Sequence, residues 1–155
     1  MGFSAGGHLS CDLTVRFATE TYAAVDAADE LSARPHVAAH IYPVVSMSLP
    51  VAHAVSRTKL IGEDATPELE TRHSPHLNVP GDAPPGFFVH AEDDASVVVD
   101  NTLLMRAALR AKNVPVETHI FAHGGHGFGL RKAVGKPVAV WPELFVAWAR
   151  ASGLV

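Results

Sequence analysis

The chain has 155 residues, enough to bury a real core, and its composition of 48% hydrophobic against 18% charged residues excludes a disordered polymer. A net charge of −4 with no run of Lys or Arg argues against nucleic acid or an anionic membrane surface as partner. The single cysteine, Cys11, excludes an internal disulfide, and no apolar stretch reaches the ~18 residues of a membrane span.

In chain order, the first feature is Gly2-Phe3-Ser4-Ala5-Gly6, a G-x-S-x-G pattern. Such a pattern lifts a serine hydroxyl on a sharp turn between a strand and a helix, although short glycine-rich loops produce it by chance as well. A helix is expected from Leu9 to about Thr19, because Leu9, Leu13 and Phe17 recur at spacing four. The Ala-rich stretch after it, closed by Pro35, reads as a further helix and loop. Residues 36–42, HVAAHIY before Pro43, read as a buried strand. From Val44 to Pro85 the chain is rich in proline, with room for two short helices around AVSRTKLIG and PELETRH.

Residues 86–91, GFFVHA, are the second expected strand, followed by an acidic turn containing Glu92, Asp93 and Asp94. A helix over residues 97–113 should turn Leu103, Leu104, Ala107, Ala108 and Ala111 inwards. Residues 116–121, VETHIF, make a third strand, and WPELFVAWARA a closing helix with Pro142 in its first turn. Strands separated by helices imply parallel pairing in a layered α/β sheet. No repeat, low-complexity tract or linker divides residues 1–155, so one domain is expected.

A serine hydroxyl needs a base, and the base needs an orienting acid. The acidic turn and the loop holding His123 and His126 each follow a strand, where parallel-sheet enzymes place their functional loops. Ser, acid, His is also the chain order of α/β-hydrolase sites. Glycines on both sides of His126 free its backbone to bring the ring inwards, which favours it over His123. Strand geometry alone does not choose among Glu92, Asp93 and Asp94. Ten histidines invite a metal reading, yet the i, i+4 pairs His36/His40 and His119/His123 fall in or against strands. There that spacing separates side chains by about 13 Å, so no metal or cofactor is expected.

The segments GFSAGGHLS, HIYPVVSM, GFFVHAEDDASVVVDNTLLMRAALRAKN, VETHIFAHGGHGFGL and WPELFVAWAR resemble the α/β-hydrolase superfamily, in its branch of acetylxylan-esterase-like and feruloyl-esterase-like carbohydrate esterases. The resemblance implies Ser4 as nucleophile, His126 as base, and Asp94 as acid, since Asp94 is the fifth residue of an H-x-x-x-D pattern that begins at His90. It implies Ala5 N–H as one oxyanion donor and a small-molecule or carbohydrate ester as substrate. Two departures stand out: Val98 replaces a usual proline, and His53-Ala54-Val55-Ser56 replaces a His-Glu-Gly-Ser stretch.

Members of that superfamily carry further strands before the serine turn, so the resemblance implies a partial α/β-hydrolase fold. Three parallel strands are expected, with the N-terminal strands and one oxyanion loop absent. The strand over residues 36–42 would then be an open apolar edge, a template for pairing with a second copy. Two outcomes are expected of such a chain: a serine esterase, or a catalytically silent unit that self-associates or needs its other half.

Overall fold

The computed structural model describes residues 1–154. Four parallel strands form one sheet in the order β1 (Gly2–Phe3), β2 (Ala38–Ile41), β3 (Gly86–Ala91) and β4 (Val116–Phe121). Three of them are the expected strands, trimmed at the ends of the first. The fourth, β1, is only two residues long and adds the pairs Gly2↔His40 and Phe3↔Ile41. The serine turn therefore does have a strand in front of it, and the edge of β2 is partly covered.

Each face of the sheet carries its own core, as parallel strands buried on both sides require. Ala39, Ile41, Phe87, Val89 and Ala91 pack against Phe128, Val138, Trp141 and Trp148, the last two from the closing helix α5 (Trp141–Ala151). On the opposite face Phe88 meets Cys11 and Val15 of α1 (Ser4–Arg16) and Met105 and Leu109 of α4 (Asp100–Ala111). Two short helices, α2 (Ala54–Ile61) and α3 (Pro67–Arg72), occupy the proline-rich excursion. Thr66 caps α3 through its hydroxyl, and Pro67 stands at the first position, where its missing N–H costs nothing.

Three helical expectations are corrected. First, α1 begins at Ser4 and not at Leu9, and its buried row is Gly7, His8, Cys11, Thr14 and Val15. Leu9 and Leu13 stand 71% and 43% exposed. Close approach sets this rotation: a Cβ on Gly7 would sit 2.7 Å from the Cα of Pro43, so the glycine row faces the chain leaving β2.

Second, the Ala-rich stretch forms only a 3-10 turn over Ala27–Glu30, held by a capping box from Asp26 and with no buried residue. Ala content favours a helix weakly, and a helix without a buried face is not held. Third, α4 buries Asn101, Thr102, Met105 and Leu109, while Leu103, Ala107 and Ala111 face outwards. Polar bonds fix that phase. The Asn101 carboxamide oxygen accepts from Val45 N and Ser46 N at 2.8 and 3.0 Å, and Thr102 bonds to His90.

Candidate active site

Ser4 follows β1 directly and opens α1 with φ +53°, a left-handed conformation that strains any residue but glycine. The surroundings hold it there. A Cβ on Gly2 would lie 2.1 Å from the carbonyl oxygen of Gly6, so only glycine fits before the turn. A Cβ on Gly6, in contrast, would meet nothing within 4 Å; the second glycine the packing demands is Gly7. The Ser4 carbonyl accepts a hydrogen bond from Val44 N at 3.1 Å, tying the turn to the end of β2.

His126 lies in the loop after β4, between Gly125 and Gly127 at φ +66° and +67°. Both glycines serve conformation and not space, since neither Cβ would touch anything. The imidazole Nε2 lies 2.8 Å from Ser4 Oγ and Nδ1 lies 2.7 Å from Asp94 Oδ2. A carboxylate only accepts, so Nδ1 carries the proton and Nε2 presents its lone pair to the serine hydroxyl. The edge of the Tyr42 ring, 5.1 Å away between centroids, supports the imidazole from below.

Asp94 sits in the turn after β3 and is 3% exposed. Its Oδ1 accepts from Ser96 N and Val97 N at 3.0 and 2.9 Å. Burial pushes this carboxyl up, but hydrogen bonds from His90, Val97 N–H and His126, with the nearby charge of His126, outweigh it and bring it down to about 2. Asp94 is therefore ionised throughout the range in which an imidazole titrates.

The other two acids of the turn have different places. Asp93 Oδ1 accepts from the backbone N–H groups of Gly124 and Gly125 at 2.8 and 2.7 Å, which pins the loop that presents His126. Its carboxyl is held low chiefly by the Gly125 bond. Exposed His123 lies 3.5 Å from Asp93 and not beside Ser4. Glu92 points into solvent. No spacing rule marks Asp93, because its partners are main-chain amides.

The structure thus brings Ser4, His126 and Asp94 into one hydrogen-bonded line at the carboxyl ends of β1, β4 and β3. Ala5, the next residue along α1, is exposed, and no side chain caps the start of that helix. Its first-turn N–H groups are the natural donors to an anion there. A pocket of about 410 Å³ opens beside Ala5, walled by Met47 and by Val55 and Leu60 of α2, with Lys59 on its lining. None of its walls comes from the loop holding His126.

The histidines weighed as metal ligands are engaged elsewhere. His119 pairs with Glu117, and His40 is fully buried beneath α1 beside Ser10 and Cys11. Among the described residues no set of three or more His, Cys, Asp or Glu side chains is arranged to hold a metal ion. Nor is any helix long and apolar enough to cross a membrane among those residues.

Known proteins share this chain's sequence pattern and fold. The sequence pattern of the prolyl oligopeptidase family matches residues 1–149. Over 127 residues, 82% of the chain, it is 36% identical to endo-1,4-beta-xylanase B of Butyrivibrio fibrisolvens, of which this covers 20%. Over 133 residues, 83% of the chain, it is 32% identical to the acetylxylan esterase of Xylanibacter ruminicola, covering 25% of that protein. In three dimensions it superposes on the acetyl ester-xyloside bifunctional hydrolase from Caldicellulosiruptor lactoaceticus with a TM-score of 0.92 and 38% identity. That match takes in 99% of this chain and 56% of the other. The chain spans about half the length of that solved relative and a quarter or less of the two others.

Proposed function

We propose that this chain, which belongs to the prolyl oligopeptidase family of α/β-hydrolases, works as a serine carboxylesterase that removes small acyl groups, acetyl foremost, from carbohydrate esters. One observation carries the reading: Ser4 Oγ, His126 and Asp94 lie within 2.8 Å of one another in series, each just beyond a parallel strand. Similarity to an acetylxylan esterase and to an acetyl ester-xyloside bifunctional hydrolase supports the substrate class.

In this reading Ser4 Oγ attacks the ester carbon while His126 Nε2 takes its proton. Asp94 holds the tautomer and balances the imidazolium. The oxyanion receives the N–H of Ala5; the fold draws its second donor from a loop after an early strand. As the bond to the alcohol breaks, the imidazolium returns the proton to the leaving oxygen, leaving the acyl group on Ser4. Water then repeats the sequence, with His126 as its base, and frees the acid. The leaving alcohol belongs on the His126 side, which leaves the pocket beside Ala5 for the acyl group.

Labelling tests this directly. A fluorophosphonate probe should modify Ser4, and Ser4→Ala should abolish both the label and release of p-nitrophenol from a p-nitrophenyl acetate substrate. A folded chain that neither labels nor turns over removes the proposal.

A further inference from the structure

His90 is fully buried at the end of β3 and has no place in the chemistry above. Its ring is nonetheless bonded at both nitrogens. Nε2 lies 2.8 Å from the Val97 carbonyl oxygen and 3.3 Å from Asp94 Oδ2, while Nδ1 lies 2.8 Å from the Thr102 hydroxyl. A carbonyl oxygen and a carboxylate accept only, so Nε2 carries a proton aimed between them. Nδ1 is then the acceptor, and Thr102, whose hydroxyl has no other partner among the described residues, is its donor.

We propose that His90 is a positioning residue for Asp94, held by Thr102 in the tautomer that directs an N–H at the same Oδ2 that receives His126. The carboxylate then answers to two imidazoles. His126 shares Oδ2 with a competing donor that never leaves, so the charge it sees is partly neutralised and its ring has one orientation. The Val97 segment completes the clamp, because it bonds Oδ1 through its N–H and His90 through its carbonyl. This also accounts for the inward face of α4, which buries Thr102 where apolar periodicity expects a leucine.

The inference rests on Asp94 and His126 acting as proposed above, so its test reads the imidazole as well as turnover. The titratable groups facing Asp94 are His90 from β3, His126 from the loop after β4 and the Tyr42 phenol from the end of β2, with Glu92 and Asp93 beside it in the chain. Removing the His90 donor leaves more negative charge for His126, which stabilises the imidazolium and raises the titration point of that ring.

The experiment is nitrogen-15 NMR titration of the histidine-labelled full chain, alongside the pH profile of p-nitrophenyl acetate hydrolysis. In wild type, the neutral His90 ring should show the Nε2–H tautomer. In His90→Phe the titration of His126 and the acid limb of kcat/KM should both move up by roughly half a pH unit or more. There kcat should fall about tenfold, the scale of one lost hydrogen bond to a charged group, with KM little changed. His90→Gln, which keeps an N–H near the position of Nε2, should return the titration towards wild type.

An unmoved His126 titration in folded His90→Phe overturns the proposal, as does an equal shift in His90→Gln, which would mark simple packing. Should His90→Phe not fold, Thr102→Val takes its place: a mixed His90 tautomer with a raised His126 titration supports the clamp, and unchanged spectra overturn it. Absence of Ser4 labelling in wild type is a separate result, and strikes the esterase reading instead.

Discussion

Asp93 and Asp94 are neighbours in the chain and do different things, so their substitutions should separate cleanly. Asp94→Asn keeps the shape but lets the amide hold His126 in the wrong tautomer, and kcat for an acetyl ester should drop by about 10⁴. Asp93→Ala removes the acceptor for Gly124 and Gly125 N–H, and the loosened loop should lower kcat about tenfold. Asp93→Asn still offers a carbonyl oxygen to both amides and should keep most of that activity. Steady-state kinetics on all three variants decide the assignment. Ser4 and His126 were expected as nucleophile and base from a motif and flanking glycines beside a strand. Spacing left Glu92, Asp93 and Asp94 open, and only the family resemblance singled out Asp94; the structure places the three side chains in one hydrogen-bonded line. Asp93 and His90 were not readable in those roles. Asp93 bonds to main-chain amides, which leave no pattern in residue spacing. The H-x-x-x-D spacing joins His90 to Asp94 but does not show that a carbonyl and a hydroxyl hold the ring.

At the scale of elements, α2 shapes what the site admits. Val55 and Leu60 wall the pocket beside Ala5, so filling it should act on the acyl group and not on the chemistry. Val55→Trp should lower kcat/KM for p-nitrophenyl butyrate relative to acetate by about tenfold, the discrimination that a hydrophobic pocket supplies. An unchanged ratio would place the acyl group elsewhere. The strands at residues 86–91 and 116–121 were legible to the residue, since each is a short segment rich in aromatic and β-branched residues that follows a proline, Pro85 or Pro115. The helix faces were not. Leucine spacing predicts one face for α1 and another for α4, and in both the observed phase is set elsewhere. In α1 it is the contact of Gly7 with Pro43, and in α4 the bonds of Asn101 and Thr102. Tertiary contacts outweigh periodicity when the residues that must approach the sheet are small or polar.

The whole molecule carries an acid liability away from the active site. His40 lies in β2 under α1, with Nδ1 against Ser10 Oγ at 2.7 Å and no partner for Nε2. Burial pushes it down from 6.5 to about 3. The unfolded chain therefore binds a proton at this position below pH 6.5 that the folded chain refuses until about pH 3. Stability is complete above 6.5 and falls through that window, by on the order of 5 kcal/mol in all. Asp94 adds a second loss lower down, between about 3.8 and 2, as its depressed carboxyl takes up a proton. Urea unfolding from pH 7 to 4 should show the midpoint falling from the first step downwards. His40→Leu, which leaves Ser10 its bond to the Gly7 carbonyl, should flatten that slope.

The turn after β3 fastens the His126 ring through Asp94 and the loop behind that ring through Asp93, two adjacent anchors on one rigid strand end. The helices above can therefore shift without changing the distance from imidazole to acid. What they can change is the reach to Ser4, which travels with α1. Wear on this molecule, whether by heat, mutation or mild denaturant, should open first between hydroxyl and ring, with the acid and base still joined.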